Sequence, residues 1–517
     1  MAIIHNDDLR LSGITKERYV VSQIRKGLTD YPIIMVSGPR KVGKTVALLQ
    51  LAVEYENAEF IDCGVEADVK RLHELLRGDF DGLILLDEFQ LLAAHADWMH
   101  AFVNKSEQAG AAFRVVLTGS VAAYTVFMSR VKGGGRNLLL HLPLITYLEY
   151  LHFTGKIERY DADLAAVDYG ETFLDYMVLK DWGDVGIPRI DKDYVDGAAR
   201  DIAAAKQVAA HSTSFLNSDM DDVSRALVLL SYALIDSWTY SQIFRTPSVG
   251  NRELGVDIGQ GLREEGAMEG FSVWEAAKST MTNQQISESL RYLLWTDLAL
   301  CNYVVPALGM KLDTVNLTKL SLGQQLTDDE LQDMFGVTTR LYATNPLIYS
   351  VIAENLWQVL EGYLGAASDK TKTLFQAVKQ KWSGRKNRGG FLRDAHIVGY
   401  WIVLYLRGAY ALGSKPTPLR TESFQDPERR EIDIVKGAPE NVLIEVAVKR
   451  PEKGAHDVNF QLAYTGHERC FVTTHKTLEK VEWNGVPIWR IPYPMLAAFL
   501  DRGEIPDDGV LANGDFV

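Results

Sequence analysis

The chain has 517 residues, too many for one hydrophobic core, and its length leads one to expect three or four domains. Hydrophobic residues make up 47% and charged residues 24%, a balance that excludes a wholly disordered chain. A formal net charge of −14 excludes a protein that coats nucleic acid or an anionic membrane with its entire surface, while leaving room for a local basic patch.

Residues 1–30 are polar, with a helix predicted around Lys16–Lys26 and no basic segment leading into an apolar run that would read as a signal peptide. Between 31 and 150 short apolar runs alternate with helical patterns. The runs are Ile33–Ser37, Glu59–Asp62, Leu83–Leu86 and Val115–Thr118, and the alternation predicts a parallel α/β sheet. From about 145 to 380 the pattern is almost wholly helical. A basic stretch, Lys379–Arg388, follows; it reads either as a solvated linker or as a track for a phosphate backbone. A helix over Phe391–Leu406 then precedes two strands, Arg430–Val435 and Val442–Val448, which predict a second α/β domain. No apolar stretch reaches the ~18 residues of a membrane span. Cys63, Cys301 and Cys470 lie far apart without metal-ligand spacing, so a cytoplasmic protein without membrane contact is expected.

The sharpest chemistry lies in Gly38-Pro39-Arg40-Lys41-Val42-Gly43-Lys44-Thr45, which fits G-x-x-x-x-G-K-[ST]. The glycines let the backbone curl until its N–H groups face phosphate oxygens. Lys44 supplies positive charge to the β- and γ-phosphates of ATP, and Thr45 a hydroxyl to Mg²⁺. An apolar strand enters this loop and an amphipathic helix leaves it, adding the positive end of the helix dipole. The second element, Leu83-Ile84-Leu85-Leu86-Asp87-Glu88, ends a buried strand in two acids. Asp87 is expected to hold Mg²⁺ through water, and Glu88 to polarise the attacking water as catalytic base. In the third, Val115–Ser120, Thr118 or Ser120 is placed to sense the γ-phosphate, unless the segment is simply a strand-to-turn junction.

Together these motifs resemble a bacterial and archaeal family of AAA-like ATPases. Its members carry a helical and winged-helix middle and a C-terminal nuclease-like domain of unknown function. The resemblance rests on Gly-Pro-Arg-x-x-Gly-Lys-Thr with Arg40, on Asp87-Glu88-x-Gln90, and on Thr118-Gly119-Ser120. It continues in Gly135-Arg136 and in Pro143-Leu144 through Glu149, and more loosely in Gly186-Ile187-Pro188 and Tyr342–Leu347. It implies a sheet in which the Thr118 strand lies between the loop strand and the acidic strand. It also makes Arg136 a candidate arginine finger or sensor, in cis or in trans, against the plainer reading of a surface arginine after a glycine loop.

The resulting division is an ATPase core over 1–150, a helical lid over 151–220, a winged-helix and helical region over 221–380, and a nuclease-like domain over 381–517. Residues 271–305 read as helix, turn, helix, strand. Thr282 and Gln285 form a capping box, and Asn302–Val305 is the expected wing strand. The second of these helices is not basic, so packing or a protein partner is favoured over DNA reading. Asp433 and Glu445 resemble the metal-binding acids of a PD-(D/E)xK nuclease, but Ala447 stands where the lysine belongs and Lys449 is displaced by two residues. The reading is an ATP-hydrolysing switch whose nuclease-fold domain serves for binding, to nucleic acid or to protein. The alternative is an ATP-regulated, Mg²⁺-dependent nuclease, and an oligomer is left open.

Overall fold

The computed structural model describes residues 16–92, 95–121, 125, 136–177, 192–208, 223–233, 273–305, 315–321, 324–335, 339–348, 369, 395–414, 420–425, 431–436, 442–447, 469–483 and 486–512. The basic run Lys379–Arg388, the Gly186–Pro188 segment, Gly135 and Lys449 lie outside the described residues.

Helix α1 (Tyr19–Gly27) buries Val20, Val21 and Ile24, one apolar face of a 3.6-residue period. The chain then alternates β1 (Ile33–Ser37), α2 (Lys44–Glu54), β2 (Ala58–Asp62), α3 (Glu66–Arg77), β3 (Leu83–Asp87), α4 (His95–Ala109), β4 (Arg114–Thr118) and β5 (Asn137–His141). These strands form one parallel sheet in the order β2-β3-β4-β1-β5, so the Thr118 strand does lie between the loop strand and the acidic strand. Every residue of β1 and β3 is buried, as expected where helices cover both faces of a parallel sheet. The fifth strand, β5, has no counterpart among the runs expected from the sequence. Its first three residues are only half-buried at the sheet edge, so the continuous apolar signal of a central strand is diluted.

Beyond the sheet come α5 (Tyr147–Phe153), α6 (Thr172–Met177), α7 (Lys192–Val208) and a helix α8 over 223–233. The helix pair expected in the middle is α9 (Val273–Thr280) and α10 (Asn283–Trp295). Thr282 and Gln285 close the capping box of α10 reciprocally. The strand that follows is longer than expected. Asn302–Val305 is the end of β6 (Ala299–Val305), an inner strand of its sheet. After α11 (Val315–Ser321) and α12 (Asp328–Met334), β7 (Thr339–Ala343) pairs antiparallel with β6 on one side. On its other side β6 pairs in parallel with β8 (Arg420–Gln425), which follows α13 (Ala395–Ser414). This sheet, β7-β6-β8-β9, therefore spans the boundary expected at 380.

The stretch expected as one strand over Arg430–Val435 is divided at Asp433 into β9 (Glu431–Ile432) and β10 (Ile434–Lys436). β9 pairs with β8, whereas β10 opens a second mixed sheet with β11 (Val442–Glu445), β12 (Arg469–Thr474), β13 (Glu479–Trp483) and β14 (Val486–Pro492), ordered β10-β11-β12-β14-β13. Helix α14 (Tyr493–Asp501), with Pro494 in its first turn, closes this region. It packs against α13 and against α5 of the first half. One apolar core runs through the described residues from Ile34 and Leu85 through Leu290 to Leu496.

Candidate functional site

The carboxyl ends of the first sheet lie in register, with Val36 beside Thr118 and Ser37 beside His141. The phosphate-loop sequence leaves β1 at this edge, where ligands of open α/β sheets bind. At Gly38 a Cβ would stand 2.1 Å from the Leu142 carbonyl oxygen, so no other residue fits between β1 and the chain leaving β5. Lys41 and Gly43 take left-handed backbone angles, φ 61° and 101°, which curl the loop around the Lys44 ammonium. That group donates to the carbonyls of Gly38 at 2.9 Å and Pro39 at 2.7 Å. Burial lowers the Lys44 pKa to about 8, against the pull of Glu88 and Asp87.

Asp87 is the hub. Its Oδ2 accepts from the Thr45 hydroxyl at 2.6 Å and its Oδ1 from the Thr118 hydroxyl at 2.6 Å. Burial raises its pKa, and the two hydroxyls together with the Glu88 amide oppose the rise. A buried carboxylate beside the first hydroxyl of α2 is the donor set that P-loop proteins use for Mg²⁺, and these residues fit that ion. Glu88 takes a left-handed backbone, φ 52°. Its Oε2 accepts from the Ser120 hydroxyl at 2.7 Å and from the Gln90 amide. Gln90 also donates to Ser120 Oγ at 2.9 Å, so Glu88, Gln90 and Ser120 form a closed polar triangle.

Two partners of this edge escaped the sequence reading. Arg18 reaches across from α1: Nη1 donates to the Val42 carbonyl at 2.5 Å, Nη2 to the Pro143 carbonyl at 2.9 Å, and Nε to Glu149 at 2.7 Å. Glu149 also caps α5 at Thr146, a box visible in the residue spacing, but nothing in the sequence ties it to an arginine 131 positions away. Asp297, at φ 59° between α10 and β6, pairs with His141 Nδ1 at 2.7 Å, both side chains being almost wholly enclosed. The 156 residues between them left no sequence signal.

Arg136 does not join the site. It precedes Asn137, which stands beside Ile33 at the entry end of β1, roughly 16 Å of strand from the loop. Its guanidinium is solvent-exposed and paired with Glu107. This placement does not let it reach its own chain's phosphate loop and fits the surface-arginine reading. In the C-terminal region Asp433 and Glu445 each adjoin one member of the Ile434–Ile444 pair that begins the β10–β11 register. Asp433 Oδ2 accepts from the Val446 amide at 2.9 Å, while the Arg407 guanidinium lies 3.7 Å from Oδ1 and donates to the Asp433 carbonyl at 3.0 Å. Among the described residues no three His, Cys, Asp or Glu side chains cluster so as to hold a metal ion. The carboxylate of Asp433, expected to hold metal with Glu445, thus has the buried Arg407 guanidinium beside it.

Comparison with known proteins agrees with the N-terminal geometry. Residues 30–151 match a family described as an AAA domain. This part of the chain is an AAA-like P-loop ATPase domain, of the class that binds and hydrolyses ATP. No curated protein matches the chain. Among solved structures, the Walker-type ATPase of Pyrococcus abyssi aligns at 12% identity, over 55% of this chain and 90% of its own, with a TM-score of 0.28. A DNA replication initiation factor aligns at 13% identity, over 52% of this chain and 80% of its own, with a TM-score of 0.22. The replication initiator DnaA bound to AMPPCP and single-stranded DNA aligns at 12% identity, over 73% and 97%, with a TM-score of 0.22. Among the described residues no helix is long and apolar enough to cross a membrane.

Proposed function

We propose that this chain is a Mg²⁺-dependent ATPase that acts as a switch, with its C-terminal α/β region serving for binding rather than cutting. The observation that carries the reading is the convergence of Lys44, Thr45, Asp87, Glu88, Thr118 and Ser120 on one edge of a parallel sheet. Backbone amides of residues 38–45 cradle the ATP phosphates, with Gly38, Pro39, Val42 and Gly43 shaping the loop and Arg40 and Lys41 adding charge. Lys44 neutralises the β- and γ-phosphates once they replace its two loop carbonyls. Thr45 and, through water, Asp87 would hold Mg²⁺, which supplies further charge neutralisation to the phosphates. Thr118 keeps the Asp87 carboxylate oriented, and Ser120 holds Glu88. Glu88 takes the proton of the water that attacks the γ-phosphorus.

For the C-terminal region, the placement of Asp433 and Glu445 next to the Ile434–Ile444 pair supports a nuclease-like arrangement of strands. The Arg407 cation beside Asp433 competes with a metal ion for that carboxylate, which supports binding over cleavage. Nucleic acid and protein are both partners of the kind such a region takes, and the β6–β8 pairing couples it to the helical middle. The ATPase reading is tested by equilibrium binding of Mg·ATPγS. Lys44→Ala is expected to lower affinity by at least about 100-fold, the scale of about 2.7 kcal/mol for a desolvated ammonium–phosphate contact. Equal affinity in the variant and the parent would contradict it.

A further inference from the structure

Helix α7 lies across the phosphate loop. Its Asp201 pairs with the Arg40 guanidinium. At Gly197, one turn earlier, a Cβ would stand 2.8 Å from Arg40 Cζ and Nε, so a side chain at this position would push the guanidinium aside. The buried Tyr194 hydroxyl bonds both the Arg40 backbone and the Tyr292 hydroxyl of α10. The same helix packs against the turn Phe89–Leu91 that follows Glu88. One helix therefore touches the loop, the turn after the catalytic acid and the helical middle.

The charges set up a conflict. Arg40 sits inside the phosphate loop, and its Nε is buried without a hydrogen-bond acceptor, so the guanidinium has donor capacity beyond its bond to Asp201. Arginine binds phosphate and carboxylate alike through parallel N–H bonds, so a phosphate in the loop competes with Asp201 for this guanidinium. Asp201 is close enough to the loop to act on the Lys44 charge, and anionic phosphate arriving there repels it.

We propose that nucleotide phosphate and helix α7 compete for the Arg40 guanidinium, so that filling the phosphate loop frees Asp201 and loosens α7 from the loop. The proposal rests on the ATP-site reading above. It makes α7 the element through which occupancy of the loop passes to α10 and the sheet beyond it.

The test uses the full chain. Amide hydrogen exchange over residues 193–201 is followed with and without saturating Mg·ATPγS, and is expected to quicken on binding. In parallel, Mg·ATPγS affinity is measured for the parent, Asp201→Asn, Arg40→Ala and the double variant. Asp201→Asn is expected to tighten binding about fivefold or more, and to have no effect once Arg40 is alanine. Unchanged or slowed exchange at saturation overturns the proposal, and the parent alone suffices for that measurement. So does an Asp201→Asn affinity within about twofold of the parent, or an equal gain in the Arg40→Ala background, which would reduce Asp201 to a simple repulsive charge. Binding with unaltered α7 exchange defeats the latch alone, whereas no binding by the parent defeats the ATP site as well.

Discussion

At the residue scale the site is organised around one buried carboxylate. Asp87 is 6% exposed, and two hydroxyls, Thr45 and Thr118, hold its oxygens in place. Thr118→Val keeps the shape of the strand end but leaves Oδ1 with only the Glu88 amide. The loss is expected to cost about 1–3 kcal/mol of stability, read as a lower urea midpoint, and to reduce ATP turnover with little change in nucleotide affinity. A variant as stable and active as the parent would remove Thr118 from the site. The loop and the two strand ends were legible in the sequence because each is a contiguous motif flanked by an apolar run. Arg18 and Asp297 were not, because what makes them matter is a partner more than a hundred residues away. Arg136 shows the converse: a motif neighbour in sequence can sit at the far end of its strand.

At the element scale the joint between the two halves is aromatic and carries one unusual acid. Tyr147 of α5, Phe173 and Tyr176 of α6, Tyr405 of α13 and Tyr493 of α14 meet tilted or edge-on with ring centroids 5.0 to 6.1 Å apart. Into this joint α14 delivers Asp501, whose Oδ2 accepts from the Leu148 amide at 2.9 Å and the Tyr405 hydroxyl at 2.7 Å. Burial pushes the Asp501 pKa up to about 7, above its ordinary carboxylate value of 3.8, and the nearby Glu149 adds to the rise. Because the folded chain holds this proton more tightly than the unfolded one, the contribution is fully present below pH about 4 and is lost as pH rises to about 7. Between pH 5 and 7 the parent should therefore lose denaturant stability that Asp501→Asn does not lose. Parallel pH profiles for the two chains would contradict this assignment. Helices α5, α6 and α13 fall where the sequence pattern is helical, whereas α14 has no counterpart among the expected elements. The partners of these elements were not legible, because a strand's own residues do not reveal that a neighbour of β6 lies about 120 residues further on.

At the scale of the whole molecule, the N-terminal sheet carries the candidate site and the rest of the chain is physically tied to it. Arg40 meets α7, His141 meets Asp297 beside β6, and α5 meets α14. β6 in turn pairs with β8, which carries the connection into the C-terminal region. The N-terminal sheet and its loop are thus tied to the rest of the chain at three places. That architecture is useful to a switch only if the loop alternates between occupied and empty states, which requires hydrolysis as well as binding. The central measurement is steady-state ATP turnover with Mg²⁺, paired with Mg·ATPγS binding, for the parent and Glu88→Gln. The account predicts that the variant binds nucleotide with the parent's affinity while its turnover falls by about 10²–10⁴-fold, the range of a lost general base. Turnover by Glu88→Gln equal to the parent's would contradict the assignment of Glu88 as the base and, with it, the hydrolytic cycle on which the switch depends.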